Sequence, residues 1–163
     1  PYVFQMARFS NPAPHPLLSG LTHIYRAGAY IGDASLDYKG EGEDIEISLG
    51  IDSSLKVTRA SLLKKDREGG LLSSDRTLIR SYQVEVSSQS RQSLVVNVRE
   101  NIPISKVKGL EVEVDQNNTT RGYKFDKYRG FLDWSLKLKP RQSKRVKLYY
   151  HVKVPQSWTL STR

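Results

Sequence analysis

The chain has 163 residues, 26 Lys+Arg against 17 Asp+Glu, a formal net charge of +9 and no cysteine. That length fits one domain, or at most two very small ones, and is enough to bury a core, and a Cys-free chain excludes disulfide scaffolds, thiol catalysis, iron–sulfur clusters and Cys-ligated zinc. No run approaches the ~20 apolar residues of a membrane-spanning helix, and no charged-then-apolar leader opens the sequence.

In chain order, a first strand is expected around Tyr2–Phe9, followed by a proline-studded crossing, Asn11-Pro12-Ala13-Pro14-His15-Pro16. Thr22–Arg26 and Tyr30–Tyr38 flank Ala27-Gly28-Ala29, where glycine can take positive φ and close a hairpin. After the polar turn Lys39–Gly42, Ile45, Ile47, Leu49 and Ile51 alternate with polar residues or glycine. Leu55–Lys65 and Arg76–Ser88 read as two long strands joined by Asp66–Asp75. Leu94–Arg99 follows and stops before Pro103, then Leu110, Val112 and Val114 alternate with glutamates. Leu132, Trp134, Leu136 and Leu138 alternate with Asp133, Ser135 and Lys137. Val146, Leu148, Tyr150, Val152 and Val154 alternate likewise with Lys147, Tyr149, His151 and Lys153, after a Pro140-Arg141-Gln142 turn.

A period of two throughout, with no helical spacing, predicts strands that have one buried and one wet face. The expected fold is all-β: an antiparallel β-sandwich, immunoglobulin-like in general shape, forming a single domain over residues 1–163. Strands of eleven to thirteen residues exceed ordinary sandwich height, so the Asp66–Asp75 hairpin is expected to protrude as an arm. Leu71 and Leu72 at its tip are its candidate protein contacts. Opening at Pro1 inside strand-like sequence, the chain is expected to be an excised domain of a longer polypeptide.

Seven of these segments carry a resemblance. They are Leu17-Leu18-Ser19-Gly20 with Ile24–Gly32; Leu49-Gly50-Ile51-Asp52 with Val57-Thr58-Arg59; Tyr82–Val86; Ile102–Ser105; Gly130–Trp134; Leu138-Lys139-Pro140; and Tyr150–Pro155. In this order they resemble the C-terminal domain of the mucoidy-inhibitor A (MuiA-like) family, a domain of unknown function, over nearly the whole chain. Two turns depart from the family pattern. Ser87–Gln92 stands where an Asn-rich turn is usual, and Pro140-Arg141-Gln142 stands where Pro-Gly-Glu is usual. The resemblance implies a larger parent with another β-rich domain and a coiled-coil stretch. For bacterial members it implies a periplasmic or cell-envelope address. It brings no catalytic residues.

The residues themselves offer little chemistry. His15, His23 and His151 do not cluster at metal-ligand spacing, no nucleophile elbow or phosphate loop occurs, and Asp126 and Asp133 read as turn and strand-surface acids. No catalytic residue, metal or cofactor is expected. Charge is the sharper signal: Arg121–Lys153 holds eleven basic residues against two acidic ones, the whole excess of the chain. Were Pro140–Gln142 to close a hairpin, Lys137 and Lys139 would come beside Lys144, Arg145 and Lys147, with Tyr149 on the same wet face. That face is the candidate site for an anionic polysaccharide. Without an RRM, KH or homeodomain signature, nucleic acid is not an expected partner. The missing catalytic constellation and the all-β framework point to a non-catalytic binding or assembly module, and the resemblance implies that it belongs to a cell-envelope protein, with other domains of the parent chain, or a second copy, as partners.

Overall fold

A computed structural model describes residues 1–67, 75–107 and 109–155. Every regular element among them is a β-strand, every strand pairing is antiparallel, and no sheet closes into a barrel. The chain divides into two compact units, Tyr2–Leu55 and the residues from Lys56 onward.

The N-terminal unit holds β1 (Phe4–Ser10), β2 (Gly20–Arg26), β3 (Ala29–Leu36) and β4 (Asp44–Ile51), paired as the ribbons β1–β4 and β2–β3. Ala27 and Gly28 take φ of 48° and 81°, the positive values that a tight two-residue hairpin needs. Asn11, at 1% exposure, holds the proline crossing in place. Its Nδ2 donates to the carbonyls of His15, Lys39 and Gly40 at 3.1, 3.3 and 3.1 Å, and its backbone N–H donates to Glu43 at 2.9 Å. One asparagine thus supplies the hydrogen bonds that a proline-rich segment cannot make for itself.

The second unit is a two-layer sandwich. One sheet has the order β5 (Leu55–Arg67), β6 (Asp75–Ser88), β11 (Ser143–Pro155), β8 (Glu111–Val114). The other has the order β7 (Leu94–Asn101), β10 (Phe131–Leu138), β9 (Tyr123–Asp126). The expected alternation holds: Val146, Leu148, Tyr150, Val152 and Val154 of β11 are buried, as are Leu132, Trp134 and Leu138 of β10 and Val96 and Val98 of β7. Trp134 needs a partner for its indole N–H, and Thr120 provides its carbonyl at 2.8 Å.

Four strands against three is the division of an immunoglobulin constant domain, but the order differs by one exchange. Numbered within the sandwich, its sheets read 1-2-7-4 and 3-6-5, where the immunoglobulin arrangement reads 1-2-5-4 and 3-6-7. The last strand here takes the central place between strands 2 and 4. This has a direct consequence for the basic segment. β10 pairs with β7 and β9, β11 pairs with β6 and β8, and Pro140–Gln142 carries the chain from one sheet to the other instead of closing a hairpin. The Leu71 and Leu72 tip lies outside the described residues.

Candidate functional site

The exchange of sheets separates the candidate basic face. Lys137 sits on the outer face of β10, and Lys139 stands just beyond that strand's end. Arg145, Lys147 and Tyr149 lie on the outer face of β11 in the other sheet. Lys144 falls on the inner phase of β11, that of Val146, where it is half-buried. The hairpin expectation is therefore corrected: the five cations do not share one face, because β10 and β11 belong to opposite layers.

A part of the charge excess is balanced by ion pairs, those of Arg129, Arg145 and Lys153 among the described residues. Arg145 makes a two-pronged ion pair with Glu85 on β6, at 3.1 and 3.0 Å. Lys153 lies 3.7 Å from both Glu111 and Glu113 of β8, and His151 lies 3.8 Å from Asp115. On β10, Asp133 receives Arg99 of β7 at 2.6 and 3.0 Å. Asp126 accepts from the backbone N–H groups of Arg129 and Tyr128 and from the Arg129 guanidinium, which holds its carboxyl below the ordinary value. Both aspartates serve turn and strand pairing, as their sequence context indicates. On the β11 face, Lys147 and Tyr149 remain next to each other on one side of Arg145. Behind them the loop after β8 docks through Thr119, whose hydroxyl donates to the Tyr149 carbonyl at 3.1 Å and accepts from its N–H at 3.0 Å.

Three arrangements had no counterpart in the sequence reading. The first is a clamp between the layers. Glu100 of β7 is 8% exposed, and Arg59 of β5 reaches it with two hydrogen bonds of 2.7 and 2.9 Å. The guanidinium lies 4.0 Å from the centre of the Tyr82 ring, which stacks in turn on Tyr150. Glu100 raises the basicity of Arg59 further, and burial, with Tyr82 beside it, pushes the Tyr150 phenol up to about 12.

The second lies on the outer face of the β2–β3 ribbon. Tyr25 pairs with Tyr30 and Ile24 with Gly32, so Ile31 is an additional residue on β3. That bulge reverses the alternation. Tyr30 and Asp33, which strict period-two spacing would put on opposite faces, meet on the same one. There Asp33 accepts from His23 and from the Tyr30 hydroxyl, and both hold its carboxyl below the ordinary value, His23 foremost. Tyr25 packs edge-on against Tyr30 with ring centres 5.7 Å apart. A Tyr-x-x-Asp spacing within a strand was the available signal, and it needs the bulge to become meaningful.

The third is a cleft of about 520 Å³ in the sandwich, between the free edges of β8 and β9, lined among others by Ile104, Val112, Val114, Tyr123, Phe125 and Lys127. No group of three or more His, Cys, Asp or Glu among the described residues could hold a metal ion.

These features define a class: an antiparallel all-β protein, one part of it a two-layer sandwich, whose polar side chains are spent mainly on cross-strand pairing. The chain belongs to the family described as "Domain of unknown function (DUF4139)", whose model matches residues 5–156. It is similar to Protein F37C4.5 of Caenorhabditis elegans, with 20% identity over 167 residues. The match covers 95% of this chain and 30% of that relative, so the chain spans about a third of the relative's length. No solved structure matches it.

Proposed function

We propose that this chain is a non-catalytic binding and assembly module, acting beside other domains of a longer polypeptide. One observation carries the reading. Among the described residues, the Tyr2–Leu55 unit buries only two hydrophobic side chains, Ile24 and Ile45, while eleven large ones, Tyr25, Phe4, Phe9 and Ile51 among them, stand exposed. Two-stranded ribbons with so small a core are marginal by themselves, and exposed apolar surface of this extent gains by being covered. The length of the worm relative fits a parent chain that supplies such cover. For a bacterial source, the resemblance to the mucoidy-inhibitor family favours the periplasm or cell envelope, which cell fractionation would test.

Sedimentation of the 163-residue chain should reveal concentration-dependent self-association, weakened by deleting Glu68–Ser74, and screens against esters, phosphoesters, glycosides and peptides should give no turnover. A turnover abolished by one polar-to-Ala change would sink the proposal. A second reading, recognition of an anionic polysaccharide, is favoured by Lys147 and Tyr149 lying adjacent on the β11 face, with Lys147 facing the neutral Gln83. A glycan array at low salt tests it, and signal indifferent to Lys147→Glu would rule it out.

A further inference from the structure

Among the described residues, the sandwich is left open along one flank. On that side β8 and β9 are the last described strands of their sheets, each four residues long and each hydrogen-bonded, among the described residues, to one neighbour only. Val112 and Val114 lie opposite Val152 and Tyr150, and Tyr123 and Phe125 lie opposite Trp134 and Leu132. All four therefore share the inner phase of strands whose partners are buried. None of the four is itself buried, and Phe125 is 37% exposed. The core reaches this flank without being closed, and the cleft between the two strands is the space that a closing element would fill.

The shape of the opening prescribes its occupant. A free strand edge presents an N–H and a C=O at every second residue, which an extended backbone satisfies and a compact ligand does not. An apolar floor beneath that edge calls for an apolar side chain at every second position. Charge then chooses between the two edges. β8 carries Glu111 and Glu113 on its wet face, both held near Lys153. β9 carries Lys124, with Lys127 just beyond it, and neither enters an ion pair among the described residues. Both Lys127, from the β9 side, and Glu113, from the β8 side, line the cleft, so an acidic segment is favoured along β9 and not along β8.

We propose that the free edge of β9 receives an extended peptide segment by strand addition. The segment places apolar side chains at alternate positions over Phe125, Tyr123 and Val114, and Asp or Glu between them beside Lys124 and Lys127. This rests on the binding-module reading and gives it a surface and a partner chemistry.

The test is to pan a displayed library of random octapeptides on the whole 163-residue chain and to synthesise the enriched sequences. Winners should alternate apolar and acidic residues. The Lys124→Glu/Lys127→Glu double variant should weaken them about tenfold, because two exposed attractions become repulsions. In hydrogen exchange, bound peptide should slow the outward amides of Tyr123–Asp126 by at least about tenfold. Enrichment no better than on an unrelated β-domain would overturn the proposal, as would winners indifferent to the lysine reversal or protection that appears elsewhere. Phe125→Ser is a second probe of the floor. Because both lysines are exposed, their reversal stays interpretable even where Phe125→Ser fails to fold. Self-association that survives a failed panning leaves the module reading intact, so the two failures are separable.

Discussion

Replacing Arg59 with methionine tests whether the Arg59–Glu100 clamp holds the two layers of the sandwich together. Methionine keeps most of the aliphatic stem and removes two charged hydrogen bonds of 2.7 and 2.9 Å. Breaking a buried pair by deleting one partner costs about 3–5 kcal/mol, chiefly because the other charge is left unpaired out of water. The Glu100 side chain is 8% exposed, but that of Arg59 is 41% exposed, so water can enter where the guanidinium was and rehydrate part of the carboxylate. Loss of the contact with the Tyr82 ring adds about 0.5–1 kcal/mol. The net expectation is a loss of about 2–3 kcal/mol. The double variant Arg59→Met/Glu100→Leu carries no stranded charge and should lie within about 1 kcal/mol of the parent. Arg59→Lys, which keeps the charge but not the fork, should fall between. Urea unfolding of the parent, Arg59→Met, Glu100→Leu and the double variant at one pH gives the cycle directly, with Arg59→Lys read alongside. An Arg59→Met cost below about 0.5 kcal/mol, or a double variant as damaged as its singles combined, would refute the reasoning.

Gly130→Ala should cost roughly 3 kcal/mol or prevent folding, read by the same urea titration. Gly130 has φ of 73°, and an added Cβ would stand 2.4 Å from the Ile102 carbonyl oxygen. Arg141→Gly should stabilise the protein by about 0.5–1 kcal/mol, since Arg141 is held at φ 56°, in the region that glycine enters freely. Asn11→Ala should cost about 2–3 kcal/mol and free the Pro12–Pro16 crossing to faster proteolysis, because three carbonyls lose their donor together. Raised from 10.0 to about 12, the Tyr150 phenol favours the folded state fully below about pH 10 and loses that contribution as pH climbs through 12. The free energy of unfolding, followed from pH 9 upward, should therefore fall less steeply in Tyr150→Phe than in the parent, and equal slopes would exclude Tyr150 as the source.

Strand existence was legible because period two is a one-dimensional property. Val146 to Val154 and Leu132 to Leu138 announce their buried phase without reference to any partner, and the structure buries them in that phase, Leu136 alone excepted in being half-buried. Pairing is not one-dimensional. Two strands joined by three residues read as a hairpin by default, yet Pro140–Gln142 passes between layers, because β11 is needed at the centre of the other sheet. Arg141 shows the cost locally, taking a left-handed φ of 56° that a non-glycine residue rarely adopts. The Ile31 bulge was invisible for a related reason. Its effect on Tyr30 and Asp33 depends on which β2 residue opposes which β3 residue, and alternation alone does not state a register.

The basic segment shows why a linear charge map misleads in an all-β chain. Arg121–Lys153 is strongly cationic in sequence because its strands come from a stretch with two acids. Antiparallel pairing then sets β11 between β6 and β8, which lie far from it in sequence and bring Glu85, Glu111, Glu113 and Asp115 to its flanks. Cross-strand neighbours of opposite sign are favourable and like charges are not, so the composition of each strand is matched to its partners and not to its sequence neighbours. The informative cations are accordingly those that pairing leaves over. On β9 the ladder gives Lys124 a place opposite Asp133, but that carboxylate is already taken by Arg99, and Lys127 lies past the end of the strand. Among the described residues, ion pairing takes up Arg129, Arg145 and Lys153 of that segment, and of the cations left over Lys124 and Lys127 stand beside the β8–β9 cleft, where strand edges and incompletely covered core also lie.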